Sequence, residues 1–155
     1  MKDFVPYSEA LVLRILGFDE SCVYYVDKDN NIYIYNFETN PDEFIEWCGV
    51  NVIPAPLYQQ AFRFFREKYK MIHQIYSLKY KGGVNYDYEI FSLVPPTDDN
   101  LGNEDDVATD KSMETYDSLV DKNFKHDESE TYEDAELACL QKLIEIVKQK
   151  IYEQR

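Results

Sequence analysis

The chain has 155 residues and a mass of 18.4 kDa, a length that predicts one domain rather than several. Hydrophobic residues make up 45% and aromatic residues 15%, which is enough for a packed core and excludes wholesale disorder. The formal charge of −14 disfavours nucleic acid and anionic membranes as partners, because both would repel the protein at long range. We therefore expect a partner with a basic or very large surface.

The N-terminal stretch predicts a cytoplasmic protein. Glu9 and Arg14 interrupt its apolar run, so it fits neither a signal peptide nor a membrane span. The cysteines, Cys22, Cys48 and Cys139, are odd in number and include no C-x-x-C pair. We expect buried free thiols, no metal site and no cofactor.

A helix and a β-hairpin are the first predicted elements. Ser8 is expected to cap a helix over residues 9–16, and Gly17 to end it. The apolar runs 22–26 and 32–37 flank the polar segment 27–31, which predicts two strands joined by an Asp- and Asn-rich turn. The stripe that we expect the helix to lay on the core is Tyr7, Leu11, Ile15 and Phe18.

Residues 38–56 are predicted to form a linker before the second helix. Pro41 opens a single helical turn that runs to Trp47, which we expect to dock on the core. Residues 51–56 are expected to be extended, because residues before proline avoid the α region. The second helix covers residues 57–69, and its apolar stripe is Tyr58, Ala61, Phe62, Phe65 and Tyr69.

Two further strands and an acidic insert follow. The strands 73–80 and 86–94 are joined by residues 81–85, whose paired glycines suit a hairpin turn. Residues 97–134 hold 14 acidic residues against 3 lysines, whereas the rest of the chain holds 16 acidic and 13 basic residues. We expect residues 97–128 to form a partly disordered, flexible acidic insert. One short helix or docking strip within it would use Met113, Tyr116, Leu119, Val120 and Phe124.

The last predicted element is a long helix that runs to about residue 154. Thr131 caps it, with Asp134 in the position of a near capping box. Its apolar stripe is Leu137, Leu140, Ile144, Val147 and Ile151. The element order α-β-β-α-β-β-α predicts a single α+β domain in which three helices pack on one antiparallel sheet of about four strands.

Four sequence blocks resemble, in order, a widespread group of small proteins from tailed bacteriophages and prophages of Bacteroidetes bacteria. The blocks are GFDESCVYYVDKDNNIYIY, APLYQQAFRFFREKY, YEIF and TYEDAELACLQKLIEIVK, and the resemblance covers about two thirds of the chain. It implies a phage or prophage origin and a shared architecture, and it supplies no catalytic residues. The chain departs from the group in its longer acidic segment and in Phe64, where a Trp often stands.

One segment has the spacing of an EF-hand calcium loop. The oxygens would come from Asp27, Asp29, Asn31, Tyr33 (backbone), Tyr35 and Glu38. The central position of that loop requires glycine and holds Ile32, and no flanking helices are predicted. We therefore interpret the segment as a polar hairpin turn and reject calcium.

No catalytic residue is predicted. His73 and His126 stand in different sequence contexts. A cysteine nucleophile activated by His73 stays an alternative, because such a pair needs only spatial proximity. Gly82 and Gly83 lack a following Lys-Ser or Lys-Thr and do not form a phosphate loop.

The second helix carries a concentrated basic feature. We single out Gln59, Arg63 and Arg66 as candidate binding residues, accompanied by interleaved Tyr and Phe. This mixture suits stacking on bases or gripping phosphates. Two alternatives are a solvated helix face and a surface that holds the acidic segment of the same chain.

The acidic segment supplies the other candidate binding residues, namely Asp98, Asp99, Glu104, Asp105 and Asp106. Their carboxylates would imitate a phosphate backbone and occupy the nucleic-acid groove of a host enzyme. A solvated segment that aids solubility is the plainer interpretation.

These features together predict a non-enzymatic accessory protein that binds a host or phage protein. One alternative is a nucleic-acid-binding module that uses the second helix. Another is a homodimer paired through a sheet edge or the C-terminal helix, whose apolar stripe is wide.

Overall fold

The computed structural model describes residues 3–35, 48, 51–93, 116–118 and 129–153. The helices are α1 (Tyr7–Ile15), α2 (Tyr58–Tyr69) and α3 (Tyr132–Glu153). The strands are β1 (Tyr24–Val26), β2 (Ile32–Ile34), β3 (Ile53–Pro54), β4 (Met71–Tyr80), β5 (Gly83–Leu93) and β6 (Tyr116–Ser118).

The fold belongs to the α+β class, and the predicted order α-β-β-α-β-β-α is confirmed, with β3 and β6 as additional short strands. The pairs between the described strands are all antiparallel. The prediction of a single sheet is wrong, because the described strands form two three-stranded sheets with the orders β2-β1-β3 and β4-β5-β6. Their number differs slightly from the predicted count of about four. Strands of two or three residues are too short for an alternating pattern to reveal them.

Helix α1 begins before the predicted position. Pro6 occupies the N-cap, and the Ser8 hydroxyl donates to the carboxylate of Glu9 at 2.6 Å instead of capping the helix. The predicted end is confirmed, since Gly17 has φ 90° and its N–H donates to the carbonyl of Arg14 at 3.0 Å. The N–H of Phe18 donates to Leu13 O at 2.9 Å, which completes a Schellman motif.

The predicted core stripe of α1 is only partly right. Leu11 and Ile15 are exposed, with 75% of Ile15 accessible, whereas Ala10 and Leu13 are buried. Apolar residues lie on two faces of this short helix, so periodicity alone does not decide which face meets the core.

The first sheet is built around β1. Tyr24 pairs with Ile34 and Val26 with Ile32, on either side of the turn 27–31. On its other edge β1 pairs with β3, where Val26 faces Ile53. The segment expected to be an extended linker is therefore extended and is also part of the sheet. The expected helical turn from Pro41 and the docking of Trp47 lie outside the described residues.

Helix α2 agrees closely with the prediction. Its buried side chains are Tyr58, Ala61, Phe62, Phe64 and Phe65. The side chain of Gln60 accepts from the N–H of Leu57 at 3.0 Å at the start of the helix, and Lys70, with φ 56°, ends it. The tight reversal at Lys70 leads directly into β4.

The second sheet is a long hairpin with a short third strand. Strands β4 and β5 pair over ten positions, from Met71 opposite Ser92 to Tyr80 opposite Gly83. The connecting loop is two residues, Lys81 and Gly82, and not the predicted 81–85. Strand β6, which lies within the segment predicted to be partly disordered, pairs with β5.

Helix α3 closes the core. The N–H of Asp134 donates to the hydroxyl of Thr131 at 3.2 Å, which confirms the predicted cap. One buried cluster joins α3, through Cys139, Leu140 and Leu143, to residues of α1, α2 and both sheets. Because α1, β1 and α3 all contribute side chains to this cluster, residues distant in sequence lie together.

Candidate functional site

The turn between β1 and β2 forms a rigid wall of the candidate site. The buried carboxylate of Asp27 accepts from the N–H groups of Asp29 and Asn31 through Oδ1, both at 2.9 Å. Its Oδ2 accepts from the side-chain amide of Asn31 at 3.0 Å and from the hydroxyl of Tyr33 at 2.9 Å. These bonds, the amide of Asn31 first, lower the pKa of Asp27 to about 2.

This arrangement confirms the interpretation as a polar hairpin turn. Both oxygens of Asp27 are engaged by groups of the same turn, so the carboxylate is committed to holding the loop and not to a cation.

The N-terminal arm, residues 3–6, forms the second wall. Phe4 bridges to Leu57, and the N–H of Val5 donates to Pro56 O at 3.0 Å. The ring of Phe4 lies 4.4 Å from that of Tyr24, measured between centroids. The N–H of Tyr7 donates to the side-chain oxygen of Asn30 at 2.9 Å, which ties the arm to the turn.

A cavity of about 250 Å³ lies between the arm, the turn and the start of α3. Its apolar walls include Phe4, Val5, Val26, Ile32 and Leu137. Asn30, Glu133 and Asp134 also line it, and all three are exposed residues, so the polar groups lie on its solvent side. The volume is below the roughly 300–1,000 Å³ of typical small-molecule sites. The cavity is thus sized for one side chain.

Carboxylates gather around this cavity. Glu133 and Asp134 occupy the first turn of α3, where the helix dipole also favours negative charge. Partial burial raises the pKa of Glu136, and the charges of Glu133 and Asp3 raise it further. Asp134 Oδ2 accepts from the hydroxyl of Thr131 at 2.6 Å, and the ion pairs Arg63–Glu20 and Lys142–Glu145 of the described residues do not involve Glu133.

The phenol of Tyr58 connects the cavity to these charges. Burial raises its pKa, and the charges of Glu136, Glu9 and Asp134 raise it further. Tyr58 is therefore a neutral hydrogen-bonding group at physiological pH and has no role as a base. The site combines an apolar hollow with a negative rim.

The predicted basic surface of α2 is partly engaged within the protein. Arg63 Nε donates to Glu20 Oε1 at 3.3 Å, and Arg63 Nη2 donates to Glu20 Oε2. Gln60 reaches the same carboxylate at 3.4 Å. A phosphate at this place would have to displace a carboxylate that already holds Arg63 at two points.

Of the other predicted binding residues, Gln59 and Arg66 stand four positions before and three positions after Arg63, so the three share one face of the helix. Gln59 and Arg66 are exposed on α2. The predicted residues of the acidic segment lie outside the described residues; they are Asp98, Asp99, Glu104, Asp105 and Asp106. Their binding role stays a prediction.

A second cavity, of about 330 Å³, lies beside Glu20. It is lined by Arg14 and Asp19 as well as by Phe18 and Val52. Its rim carries charges of both signs, and Glu20 is already engaged by Arg63. This cavity therefore favours no single class of ligand.

The thiols and the described histidine are held in their neutral forms. Cys22 and Cys139 are buried, as predicted, and Cys48 is half-buried. Burial raises the pKa of Cys22 to about 11 and that of Cys139 further. His73 stacks on Phe62, with centroids 3.7 Å apart, and burial lowers its pKa to about 4. A thiol nucleophile needs the opposite shift.

Sequence reasoning missed the residues that form the first cavity. Phe4 and Val5, Ile32, and Leu137 come from three distant parts of the chain. In the first turn of α3 the sequence indicates only a helix cap, formed by Thr131 with Asp134. The folding of the arm over the turn carries no local sequence signal.

Comparison with known proteins gives no relative: no family model, no curated protein and no solved structure matches the chain. Every helix in the described ranges is too short or too polar to cross a lipid bilayer. Within the same ranges, no three His, Cys, Asp or Glu side chains group in a way that could hold a metal ion.

Proposed function

We propose that the protein is a non-enzymatic accessory protein of phage or prophage origin that acts in the host cytoplasm by binding a host or phage protein. The observation that carries the proposal is the apolar cavity with its negative rim. The partner segment contributes a Lys or Arg side chain to this site. The aliphatic stem of such a side chain fills an apolar hollow, while its charged end stays among the carboxylates.

The shape and charge of the cavity support this occupant. Phe4, Ile32 and Leu137 provide apolar contact for the stem, and the exposed carboxylate of Glu133 stands where the cationic end emerges, beside the negative charge of Asp134. The net charge of −14 attracts a basic partner at long range and accelerates association. The raised pKa values of the cysteine thiols agree with a binding role rather than a nucleophilic one.

A second candidate function is mimicry of nucleic acid by the acidic segment. The sequence supports it through the 14 acidic residues of 97–134, and it would place the binding site at Asp98–Asp106. The two candidates predict different sensitive residues, so one experiment separates them. A nucleic-acid-binding role of α2 is less favoured, because Glu20 already engages Arg63.

The test is capture of partners from lysate of a Bacteroidetes host by tagged protein in four forms. The wild type is compared with Leu137→Trp, which fills the cavity, and with Ile151→Trp, the same type of change at an exposed position of α3. In the fourth form a short neutral linker replaces residues 98–127.

We expect a partner with a basic segment that the wild type, Ile151→Trp and the linker form retain and Leu137→Trp loses. Circular dichroism checks that both Trp variants fold. Loss of the partner only in the linker form would overturn the cavity and favour mimicry. A partner retained by all four forms, or no partner at all, would overturn both sites.

A further inference from the structure

Strand β4 lies at the edge of the second sheet. Strand β5 occupies one of its sides, and no described strand lies on the other. The ten register pairs between β4 and β5 run without a bulge, and β4 contains no proline. Ten residues of regular strand span roughly 33 Å. Natural edge strands of this length usually carry a bulge, a proline or several charges that prevent pairing with another chain.

The hydrogen bonds of Tyr86 reveal which backbone groups of β4 face outward. Tyr86 exchanges both of its backbone bonds with Ser129, at 2.9 and 3.1 Å, on the side of β5 away from β4. Its opposite residue in β4 is Ser77, so Ser77 also directs its N–H and C=O away from β5. Because the antiparallel pattern has a period of two, Ile75 and Lys79 direct theirs the same way.

Within the described residues, these outward groups form no backbone hydrogen bond. Ser77 and Lys79 are exposed, so this half of the edge is open to solvent in the described part of the molecule. Lys79 is the one lysine along β4, and no acidic residue accompanies it. The edge therefore has a single charged group to oppose pairing.

We propose that β4 pairs antiparallel with β4 of a second copy of this chain, so that two three-stranded sheets join into one six-stranded sheet about a two-fold axis. An antiparallel edge is self-complementary, because each outward N–H of one copy faces a C=O of the other copy, and each outward C=O faces an N–H. Tyr76 and Leu78 of the two copies then share one face of the joined sheet and contact each other across the new pair.

The charge of β4 favours a second copy of the chain, rather than the basic partner proposed for the cavity, as the occupant of this edge. The chain as a whole is strongly acidic, and like-charge repulsion opposes most contacts between copies. Strand β4 itself carries no carboxylate, so direct pairing of the two β4 strands brings no acidic side chains of the strand against each other. A basic segment, although attracted at long range by the net charge, would meet Lys79 and no carboxylate on this strand. The inference is independent of the proposed function, because the cavity lies on other elements.

Hydrogen exchange of backbone amides, measured at a low and a high protein concentration, tests the proposal directly. The amides of Gln74, Tyr76 and Leu78 face β5, and we expect them to exchange slowly at both concentrations. The outward amides of Ile75, Ser77 and Lys79 should exchange quickly in dilute protein and slowly in concentrated protein. Alternate residues of one strand thus act as each other's control.

Sedimentation of two charge variants provides the second measurement. Ser77→Lys places an additional cation on the outward edge at an exposed position, and we expect self-association to weaken by about tenfold or more. Ile34→Lys adds the same charge to β2, the edge strand of the first sheet, and should leave self-association unchanged.

Three results would overturn the proposal. The first is a monomer at all accessible concentrations. The second is a dimer whose outward β4 amides exchange at the same rate as in dilute protein. The third is a dimer that Ile34→Lys disrupts and Ser77→Lys does not. Far-ultraviolet circular dichroism of both variants shows whether any loss reflects unfolding.

Discussion

The two hairpins of this molecule are held together in different ways. In the first, three pairs of β1 and β2 close around the carboxylate of Asp27, and β3 covers the other side of β1. In the second, ten backbone pairs and a two-residue loop suffice, and β4 keeps one side open. A hairpin stabilised by side chains at its turn provides a rigid wall for a cavity. A hairpin stabilised by backbone length provides an edge for another strand.

The largest expected effect is a loss of stability from a substitution in β5, the central strand of the second sheet, compared with the same substitution in β2, an edge strand of the first sheet. Ile90 in β5 is fully buried, whereas 69% of Ile34 in β2 is exposed. Ile90→Ala should cost about 2–5 kcal/mol of unfolding free energy, because it leaves a cavity in the core. Ile34→Ala should change it by no more than about 0.5 kcal/mol. Urea unfolding measures both, and equal costs would contradict the assignment of the core.

Proline substitutions along β4 sharpen the description of its two sides. The N–H of Leu78 faces β5, so Leu78→Pro removes a ladder bond and leaves a carbonyl without its donor, at a cost of about 1–3 kcal/mol. The N–H of Ser77 faces outward, and Ser77→Pro keeps the ladder. Both changes restrict φ equally, so their difference in unfolding free energy reflects the bond together with the loss of the half-buried Leu78 side chain, which Leu78→Ala measures by itself. A larger loss for Ser77→Pro would reverse the assigned directions.

The second hairpin should lose stability first as pH falls. Burial against Phe62 lowers the pKa of His73 from 6.5 to about 4, so the folded protein keeps the imidazole neutral while the unfolded chain takes up a proton. The stability from this effect is complete above about pH 6.5 and is lost as pH falls toward 4. Chemical unfolding at several pH values measures this dependence. His73→Phe should make the unfolding free energy nearly independent of pH over this range, and an unchanged pH dependence would contradict the burial of His73.

The first hairpin should lose the stabilisation from Asp27 over a lower and narrower range of pH. The pKa of Asp27 falls from 3.8 to about 2 because the charged form accepts the hydrogen bonds of the turn. Its stabilisation is therefore complete above about pH 4 and decreases as pH falls through 2. Asp27→Asn should remove this dependence and leave the window of His73 in place. A variant with the wild-type profile below pH 4 would show that the turn is held otherwise.

The regular elements were largely predictable, because their signals are local. The apolar stripes of α2 and α3 recur at helical spacing. Thr131, at the start of α3, and Gly17, just after α1, are residue types typical of the beginning and the end of a helix. The faces of α1 were not predictable in the same way, since Leu11 and Leu13 are both apolar and only packing decides between them. The hydroxyl of Ser8 donates to the carboxylate of Glu9 instead of capping α1, because a serine hydroxyl can form a hydrogen bond with any of several nearby groups.

The sheet arrangement and the site depend on contacts between distant residues. Ile53 and Pro54 give a weak strand signal, and they become a strand only because β1 has an open edge beside them. Arg63 looked available for binding because its partner, Glu20, stands 43 positions earlier. The cavity arises where four chain segments meet, and no spacing along the sequence encodes that meeting.

The footprint of the captured partner tests the central claim most directly. Hydrogen exchange of the protein, alone and with the partner bound, locates the amides that the partner protects. The account predicts slower exchange in the N-terminal arm, in the turn 27–31 and in the first turns of α3. Protection confined to residues 98–106, or to α2 around Arg66, with the arm and the turn unchanged, would contradict it.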